Sequence, residues 1–218
     1  MNIEKETVLQ TLITTMDRFI DTLDDLPQLH LNEFSSQDTL IVMIDMINGF
    51  CKFGPLSSPY VESLIPEMSR FLDDAIAHHH PIVSYRDSHP ESTSEFEYFP
   101  PHCLSDSDES NLVDELLRPE LIDIPKNSTN GFLAKNPLTL FDHSIKNVIV
   151  IGCVTDICVR DFSSTMNKYF QEANLDGHVY LIENLVDTFH IEGVHDRQSE
   201  HLLALYQLSQ AGIRLYRY

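Results

Sequence analysis

A cysteine that could act as a nucleophile stands in the segment GCVTDICV (152–159), where an apolar strand is followed by a predicted helix. Cys158 would lie in the first turn of that helix, where unpaired N–H groups and the positive end of the helix dipole lower the pKa of a thiol. The same N–H groups could hold an oxyanion during acyl transfer. Asp45 could accept the thiol proton, and Lys126 could order both groups as a nearby cation. These residue types predict acyl transfer by a cysteine; the alternative is an inert core thiol, a turn-capping aspartate and a solvated surface lysine.

A second group of residues suited to chemistry lies in a long loop predicted for residues 86–109. It combines two carboxylates with two imidazoles, a donor set that suits zinc, manganese or iron, in Asp87, His89, Glu95 and His102. Two carboxylates would balance the charge of a divalent ion, and the Asp-x-His spacing turns alternate side chains of an extended segment the same way. The alternative is a histidine-rich loop without metal. We assign the neighbouring triplet at 78–80 to the end of a helix rather than to a metal site.

The scaffold that must position these residues is indicated by two continuous apolar runs, TLIVMID (39–45) and NVIVIGC (147–153). Such runs are typical of strands that are buried on both faces of a parallel sheet. Further strands are predicted at 81–85, 121–125, 178–183 and 213–216, and helices at 61–79, 110–117, 156–173 and 195–211. This alternation predicts a three-layer, Rossmann-like α/β fold with a parallel sheet of about six strands and helices on both faces.

The candidate residues share one position in this predicted fold. In a parallel α/β sheet, ligands bind outside the carboxyl ends of the strands. Asp45, Asp87 and Lys126 each come at or just after the end of a predicted strand, and Cys158 follows NVIVIGC. We therefore expect all four to converge at one edge of the sheet.

Residues 1–38 are predicted to form a helical arm and a linker ahead of a single domain at 39–218. The apolar side chains of the arm fall on one broad helical face, and Pro27 ends the helix: Val8, Leu9, Leu12, Ile13, Met16, Phe19, Ile20 and Leu23. The arm would pack either on the domain or on a second subunit. The sequence therefore leaves open whether the protein forms a homo-oligomer.

The amino-acid composition limits the classes of partner that the chain can bind. Its 218 residues include 34 acidic and 14 basic side chains, for a net charge of −20. This excess of acid argues against nucleic-acid binding and against docking on an anionic membrane. Four cysteines in a chain of this length suit a reducing compartment, and we see neither a signal peptide nor an apolar run of the roughly 18 residues that a membrane span needs. We expect a cytoplasmic protein that acts on a small molecule.

Five segments of the sequence resemble motifs of the isochorismatase-like cysteine hydrolases and, within them, of the nicotinamidases. They occur in the order of the family within residues 39–216: IDMINGF (44–50), RDSHP (86–90), EFEYFPPHC (95–103), PKNSTNGF (125–132) and GCVTDICV (152–159). The resemblance implies the isochorismatase-like hydrolase fold. It also implies that Cys158 is the nucleophile, Asp45 the acid and base, and Lys126 the third member of a triad.

The resemblance implies further roles around this triad. A cis peptide bond between Cys153 and Val154 would aim the Val154 N–H beside that of Cys158 to form an oxyanion hole. Asp87, His89 and His102 would bind one divalent metal ion, with Glu95 in a position where the family often has histidine. This substitution makes the site harder, so manganese or iron would be alternatives to zinc. A flat substrate ring would lie in a pocket formed by Phe50, Phe99 and Ile157, whereas ordinary core packing is the alternative for the two phenylalanines.

The implied activity is metal-dependent hydrolysis of nicotinamide to nicotinate and ammonia, through a cysteine thioester, in NAD salvage. Pyrazinamide would also be cleaved because it has the same ring nitrogen and carboxamide. Two other hypotheses stay open at this point. One is a cysteine hydrolase of the same fold that acts on a ureido compound or another small amide; the other is a non-catalytic metal-binding protein.

Overall fold

The computed structural model describes residues 3–218, and its centre is a six-stranded parallel sheet. The strand order is β3-β2-β1-β4-β5-β6. The strands are β1 (Thr39–Ile44), β2 (Ile82–Asp87), β3 (Leu121–Lys126), β4 (Asn147–Cys153), β5 (His178–Asp187) and β6 (Arg214–Tyr216). The chain order reverses between β1 and β4, which makes their carboxyl ends the switch point where α/β sheets bind ligands.

Helices cover both faces of the sheet, so the predicted three-layer α/β fold is confirmed. The long helices are α1 (Lys5–Asp24), α2 (Ile65–Ala77), α3 (Arg160–Glu172) and α4 (Arg197–Gln210). All six side chains of β1 are buried, and the five from Leu40 to Ile44 alternate between two hydrophobic cores. Ile41 and Met43 lie in the core that includes α2, and Leu40 and Val42 lie in the core that includes α3 and α4. Burial on both faces explains why the strand is an unbroken apolar run.

Some predicted boundaries differ from the structure. The helix predicted at 61–79 is divided into a single turn at Pro59–Glu62 and helix α2, which has proline in its first turn. The helix predicted at 110–117 is wrong, because the chain there forms only two short 3₁₀ turns, Asp108–Ser110 and Asp114–Leu116. The helix predicted at 156–173 begins with a π-helical turn, Thr155–Val159, and continues as α3.

The N-terminal arm packs on the domain through its C-terminal part. Leu23 of α1 is buried in the core, and the ring of Phe19 lies 5.3 Å from that of Tyr206 on α4. Residues 3–14 are exposed to solvent. After α1, Leu29 and Leu31 are buried, so the predicted linker contributes to the core. Within residues 3–218, no helix is long and apolar enough to cross a membrane.

Candidate active site

Four strands end at the site and deliver its polar residues. Asp87 and Lys126 are the last residues of β2 and β3, while Asp45 follows β1 and Val154 follows β4. Asp45 has a left-handed backbone (φ 53°), a conformation that aspartate tolerates better than most residues, and its N–H donates to the Tyr85 carbonyl (2.8 Å). In the structure these residues come together at the carboxyl edge of the sheet, as we expected.

A glycine lets the two central strands meet at this edge. Gly152 of β4 has φ +117°, and a Cβ atom there would lie 2.1 Å from the carbonyl oxygen of Ile44. Only glycine fits both the backbone angle and the contact. The close approach brings Asp45, which follows Ile44, beside the turn that follows β4.

The structure brings the three predicted triad residues together in the protein interior. The Lys126 ammonium forms an ion pair with Asp45 (Nζ–Oδ2, 2.8 Å) and lies 3.7 Å from the Cys158 sulfur. The polar atoms of Asp45 and Cys158 lie within 4.8 Å of each other. At most 5% of any of these three residues is exposed, so the groups interact in a medium that screens charge poorly.

Burial determines how these groups hold their protons. Burial and the neighbouring Asp87 raise the pKa of Asp45 to about 7, although Lys126 opposes them. Burial lowers the pKa of Lys126, but Asp45 and Asp87 outweigh it and raise that pKa well above its ordinary value. The lysine is therefore an ammonium ion, and Asp45 can both accept and release a proton near neutral pH.

The pKa of the Cys158 thiol differs from the expectation. Burial raises the pKa of Cys158 well above its ordinary value, even though Lys126 lowers it. We expected the start of the helix to lower this pKa, and that expectation is wrong because the sulfur is removed from water. The thiol consequently needs a neighbouring base, and Asp45 is within reach.

The turn between β4 and α3 carries the sulfur. The peptide bond between Cys153 and Val154 is cis, as the resemblance implied. Val154 precedes the π-helical turn, and its carbonyl accepts hydrogen bonds from Ile157 (3.2 Å) and Val159 (3.2 Å). Val154 and Cys158 both line the same pocket, which is where an oxyanion hole would be needed.

The predicted metal ligands form one cluster next to the triad. Nε2 of His89 lies 3.6 Å from Asp87 Oδ2 and 3.9 Å from Glu95 Oε1, and Nε2 of His102 lies 3.8 and 4.0 Å from the same two oxygens. Two atoms that each bind one ion at about 2.1 Å can be at most about 4.2 Å apart. All four separations meet this limit, so the donor set fits a single divalent ion.

Neighbouring groups also prepare the two imidazoles for a metal. Nδ1 of His89 lies 3.0 Å from Asn127 Oδ1, and Nδ1 of His102 lies 2.8 Å from the Pro100 carbonyl. Both acceptors require the hydrogen on Nδ1, which leaves the Nε2 lone pair free to bind an ion. Among residues 3–218, the buried Nε2 of His89 has no hydrogen-bond partner. An orphaned nitrogen that faces two carboxylates is what a cation site requires.

The pocket connects the thiol with this cluster. It is lined by Cys158, Val154, Asp87, Glu95 and His102 together with apolar and hydroxyl side chains. The predicted Phe50, Phe99 and Ile157 are all among the lining residues, and Leu56, Thr129 and Phe189 complete it. A small flat molecule in this pocket would contact both the Cys158 thiol and side chains of the candidate metal cluster.

Sequence reasoning missed several residues of the site. Asn127 adjoins Lys126, and an amide next to a proposed catalytic residue was a signal that could have been used. Leu56 and Phe189 have no polar side-chain group, and Thr129 is one hydroxyl residue among many, so only the fold reveals these three. The histidine triplet lies outside the site: His78 follows α2 at its C-terminus, and His80 is buried with its Nε2 3.2 Å from the Leu31 carbonyl.

Comparison with known proteins identifies the family of this chain. Residues 39–211 match the model of the isochorismatase domain. Nicotinamidase 1 of Arabidopsis thaliana is 30% identical over 161 residues, which are 66% of this chain and 65% of that protein. The chain therefore matches less than two thirds of the length of this relative. The nicotinamidase of Escherichia coli (strain K12) is 22% identical over 81% of this chain and 93% of its own length.

Solved structures share the fold. The pyrazinamidase of Pyrococcus horikoshii, in complex with zinc, has a TM-score of 0.67 and 23% identity, with 83% of this chain and 99% of that chain covered. The N-carbamoylsarcosine amidase of Thermoplasma acidophilum has a TM-score of 0.66 and 22% identity, with 83% and 96% covered. At these identities the likeness establishes the fold alone.

Proposed function

This chain belongs to the isochorismatase family, and from that premise we propose that it hydrolyses nicotinamide to nicotinate and ammonia through a thioester on Cys158. The observation that carries this proposal is the single pocket that joins a buried thiol to an Asp/His/Glu/His cluster. A thiol and its base suffice to cleave an amide. The cluster adds a place for an electron-pair donor at the far end of the substrate, which the pyridine nitrogen supplies.

Substrate binding would be shared between the cluster and the aromatic walls. Asp87, His89, Glu95 and His102 would hold one divalent ion, zinc or else manganese or iron, which supplies a Lewis-acidic position for the pyridine nitrogen. Phe50 and Phe99 line the pocket where the ring would lie. Fixing the ring at both ends holds the carboxamide over the sulfur, and such orientation can lower a barrier by up to about 7–11 kcal/mol.

Acylation would begin with proton transfer from the Cys158 thiol to Asp45. The sulfur then attacks the carboxamide carbon, and the carbonyl electrons move onto oxygen. The N–H groups of Val154 and Cys158 would stabilise this oxyanion, by about 3 kcal/mol for each donor. When the C–N bond breaks, Asp45 returns its proton to the leaving nitrogen, which departs as ammonia and leaves an acyl group on the sulfur.

Deacylation would use the same carboxylate in the reverse sense. Asp45 takes a proton from water as the water oxygen attacks the thioester carbon. The C–S bond then breaks, Asp45 returns its proton to the departing sulfur, and the carboxylic acid product loses its own proton to solvent as nicotinate. Lys126 keeps its positive charge throughout and offsets the negative charge that moves between Asp45 and Cys158. A pKa of about 7 suits a group that must both accept and donate a proton.

The cellular setting we propose is NAD salvage, in which nicotinate is reused. The four cysteines are free thiols, which supports a reducing compartment such as the cytoplasm.

The test is ammonia release from a panel of amides by metal-loaded protein. Nicotinamide and pyrazinamide should both be cleaved. Benzamide has the same carboxamide without the ring nitrogen, and it should be cleaved at least tenfold more slowly, since a factor of ten corresponds to about 1.4 kcal/mol of lost binding to the ring. A protein that cleaves N-carbamoyl amino acids but not nicotinamide would refute the proposal and favour a ureido substrate.

A further inference from the structure

The loop between β5 and α4, residues 188–196, forms one wall of the pocket. Phe189 lies in this wall, 5% exposed, and lines the pocket with Val154 and Cys158. Most of the loop faces solvent, since Ile191 is 40% and Val194 79% exposed. Phe189 packs in the hydrophobic core that includes α2, whereas the exposed residues that follow it have few packing contacts.

We propose that His195 is a positioning residue that holds Phe189 against the turn carrying Cys158, and so sets the substrate-binding wall; this rests on the proposed hydrolysis. The His195 ring lies tilted against the Phe189 ring, with centroids 4.2 Å apart and planes at 31°. Its Nδ1 donates to the Phe189 carbonyl at 3.1 Å. One side chain thus fixes both the ring and the backbone of Phe189.

The other side of His195 joins the catalytic turn. Its Nε2 lies 2.9 Å from Oδ2 of Asp156, a residue that is 6% exposed and stands between Val154 and Cys158. Nδ1 therefore faces the Phe189 carbonyl and Nε2 faces the Asp156 carboxyl group, so the one imidazole bridges the two. This bridge ties the pocket wall to the turn whose N–H groups would hold the oxyanion.

The remainder of the loop supports this arrangement. His195 and Ile191 exchange backbone hydrogen bonds of 2.8 and 2.9 Å, which close the loop into a tight hairpin. At its base, Arg197 forms a two-pronged ion pair with Asp187 and lies over the Tyr60 ring at 4.4 Å. The base of the loop is therefore anchored independently of the contacts that His195 makes to Phe189.

A metal ion is the other explanation for this group of side chains. Ligand atoms of Asp156, His195 and Glu200 lie within 4.8 Å of one another. The direct 2.9 Å contact favours the hydrogen-bonded pair, because it is a normal hydrogen-bond length and gives Nε2 a partner without a metal.

A double-mutant cycle tests the proposal with metal-loaded protein and nicotinamide. His195→Ala and Phe189→Ala should each raise KM about tenfold with a smaller change in kcat, because the wall binds the ring but does not touch the reacting carbon. The double variant should have the KM of Phe189→Ala alone, since His195 acts on binding through that ring. His190→Ala is the matched control on the same loop and should leave KM unchanged.

A second readout is independent of the substrate. His195→Ala should increase the rate at which chloroacetamide alkylates Cys158, measured by mass spectrometry of the modified peptide, because a displaced Phe189 uncovers the sulfur. If the unaltered protein releases no ammonia from nicotinamide, the proposed function fails while this readout still decides the role of His195.

Three results would overturn the role of His195. They are effects on KM that multiply in the double variant, an alkylation rate equal to that of the unaltered protein, and a second bound metal equivalent that Asp156→Asn removes.

Discussion

Asp87 accepts a hydrogen bond from Lys126 through one carboxylate oxygen and turns the other toward the two histidines of the metal cluster. Burial disfavours its charged form, but Lys126 and both histidines outweigh that effect and hold the pKa of Asp87 below its usual range. One buried carboxylate therefore pairs with the lysine of the triad and also faces the proposed metal site. Asp87 links these two groups of residues.

Replacing Asp87 should accordingly damage both functions at once. Asp87→Asn keeps the size of the side chain but removes its charge, so we expect weaker metal binding and at least a hundredfold lower kcat/KM, a loss of about 2.7 kcal/mol or more. Metal content and ammonia release measure the two effects. Asp123→Asn is the control, since Asp123 pairs with Arg86 on the same two strands but at the surface. An Asp87→Asn protein that keeps its metal and its rate would show that the linkage is absent.

The contact between Asn127 and His89 offers a separate test of the metal site. Asn127→Ala removes the acceptor that keeps the hydrogen on Nδ1 of His89, so the affinity for zinc should fall about tenfold, the lower end of the usual range for such partners. Competition with a chelator measures this affinity. Asn136→Ala, which removes a helix-capping side chain elsewhere, should leave it unchanged. Equal zinc affinity in all three proteins would argue against the cluster as the metal site.

Gly152 should be indispensable for the edge where the site forms. Gly152→Ala places a methyl group against the Ile44 carbonyl and forces alanine into φ +117°, so we expect several kcal/mol of lost stability or failure to fold. Gly193→Ala is the matched comparison, because Gly193 also has a positive φ (+70°) but no atom within 4 Å of the added carbon. It should cost only about 1–2 kcal/mol, the ordinary penalty for a left-handed alanine. Urea unfolding measures both; equal losses would show that the close contact is unimportant.

The burial of His80 predicts that the folded protein loses stability in acid. Burial lowers the pKa of this histidine below its ordinary value of 6.5, so the unfolded chain binds its proton more readily than the folded protein. The contribution is fully present above about pH 6.5 and is lost as the pH falls below it. Between pH 7.5 and 5.5, the free energy of unfolding should therefore fall more in the unaltered protein than in His80→Gln, which cannot take up the proton.

The exposed His143 provides the control for this comparison. His143→Gln should lose as much stability on acidification as the unaltered protein. If His80→Gln shows the same dependence on pH as both of these proteins, His80 does not titrate as its burial requires.

Much of the fold could be predicted from sequence, because strands that are buried on both faces leave unbroken apolar runs. The runs ending before Asp45 and Val154 marked β1 and β4, and their position in an alternating pattern placed the site at the carboxyl edge. The 3₁₀ turn at Asp114–Leu116 could not be predicted, since a short apolar segment fits several conformations that only tertiary contacts distinguish. The division of the helix near residue 63 has the same cause.

The chemistry of the site was predictable where it depends on residue type, and unpredictable where it depends on burial. Carboxylates, imidazoles and a thiol can be recognised in a sequence together with their order along the strands. The raised pKa of Cys158 could not be recognised in the sequence, because it results from the exclusion of water by side chains that are distant in sequence. Asp156 and His195 are 39 positions apart in the sequence, and no sequence pattern around either residue indicates that the two are in contact.

The central claim is that Cys158 forms the covalent intermediate beside an intact metal site. The most direct measurement is ammonia release from nicotinamide by Cys158→Ala, with the metal content of the same sample, and mass spectrometry of the unaltered protein quenched during turnover. We expect a loss of at least a thousandfold in kcat with unchanged metal content, and a nicotinoyl group attached to the peptide that contains Cys158. Near-normal ammonia release by the alanine variant would contradict the claim.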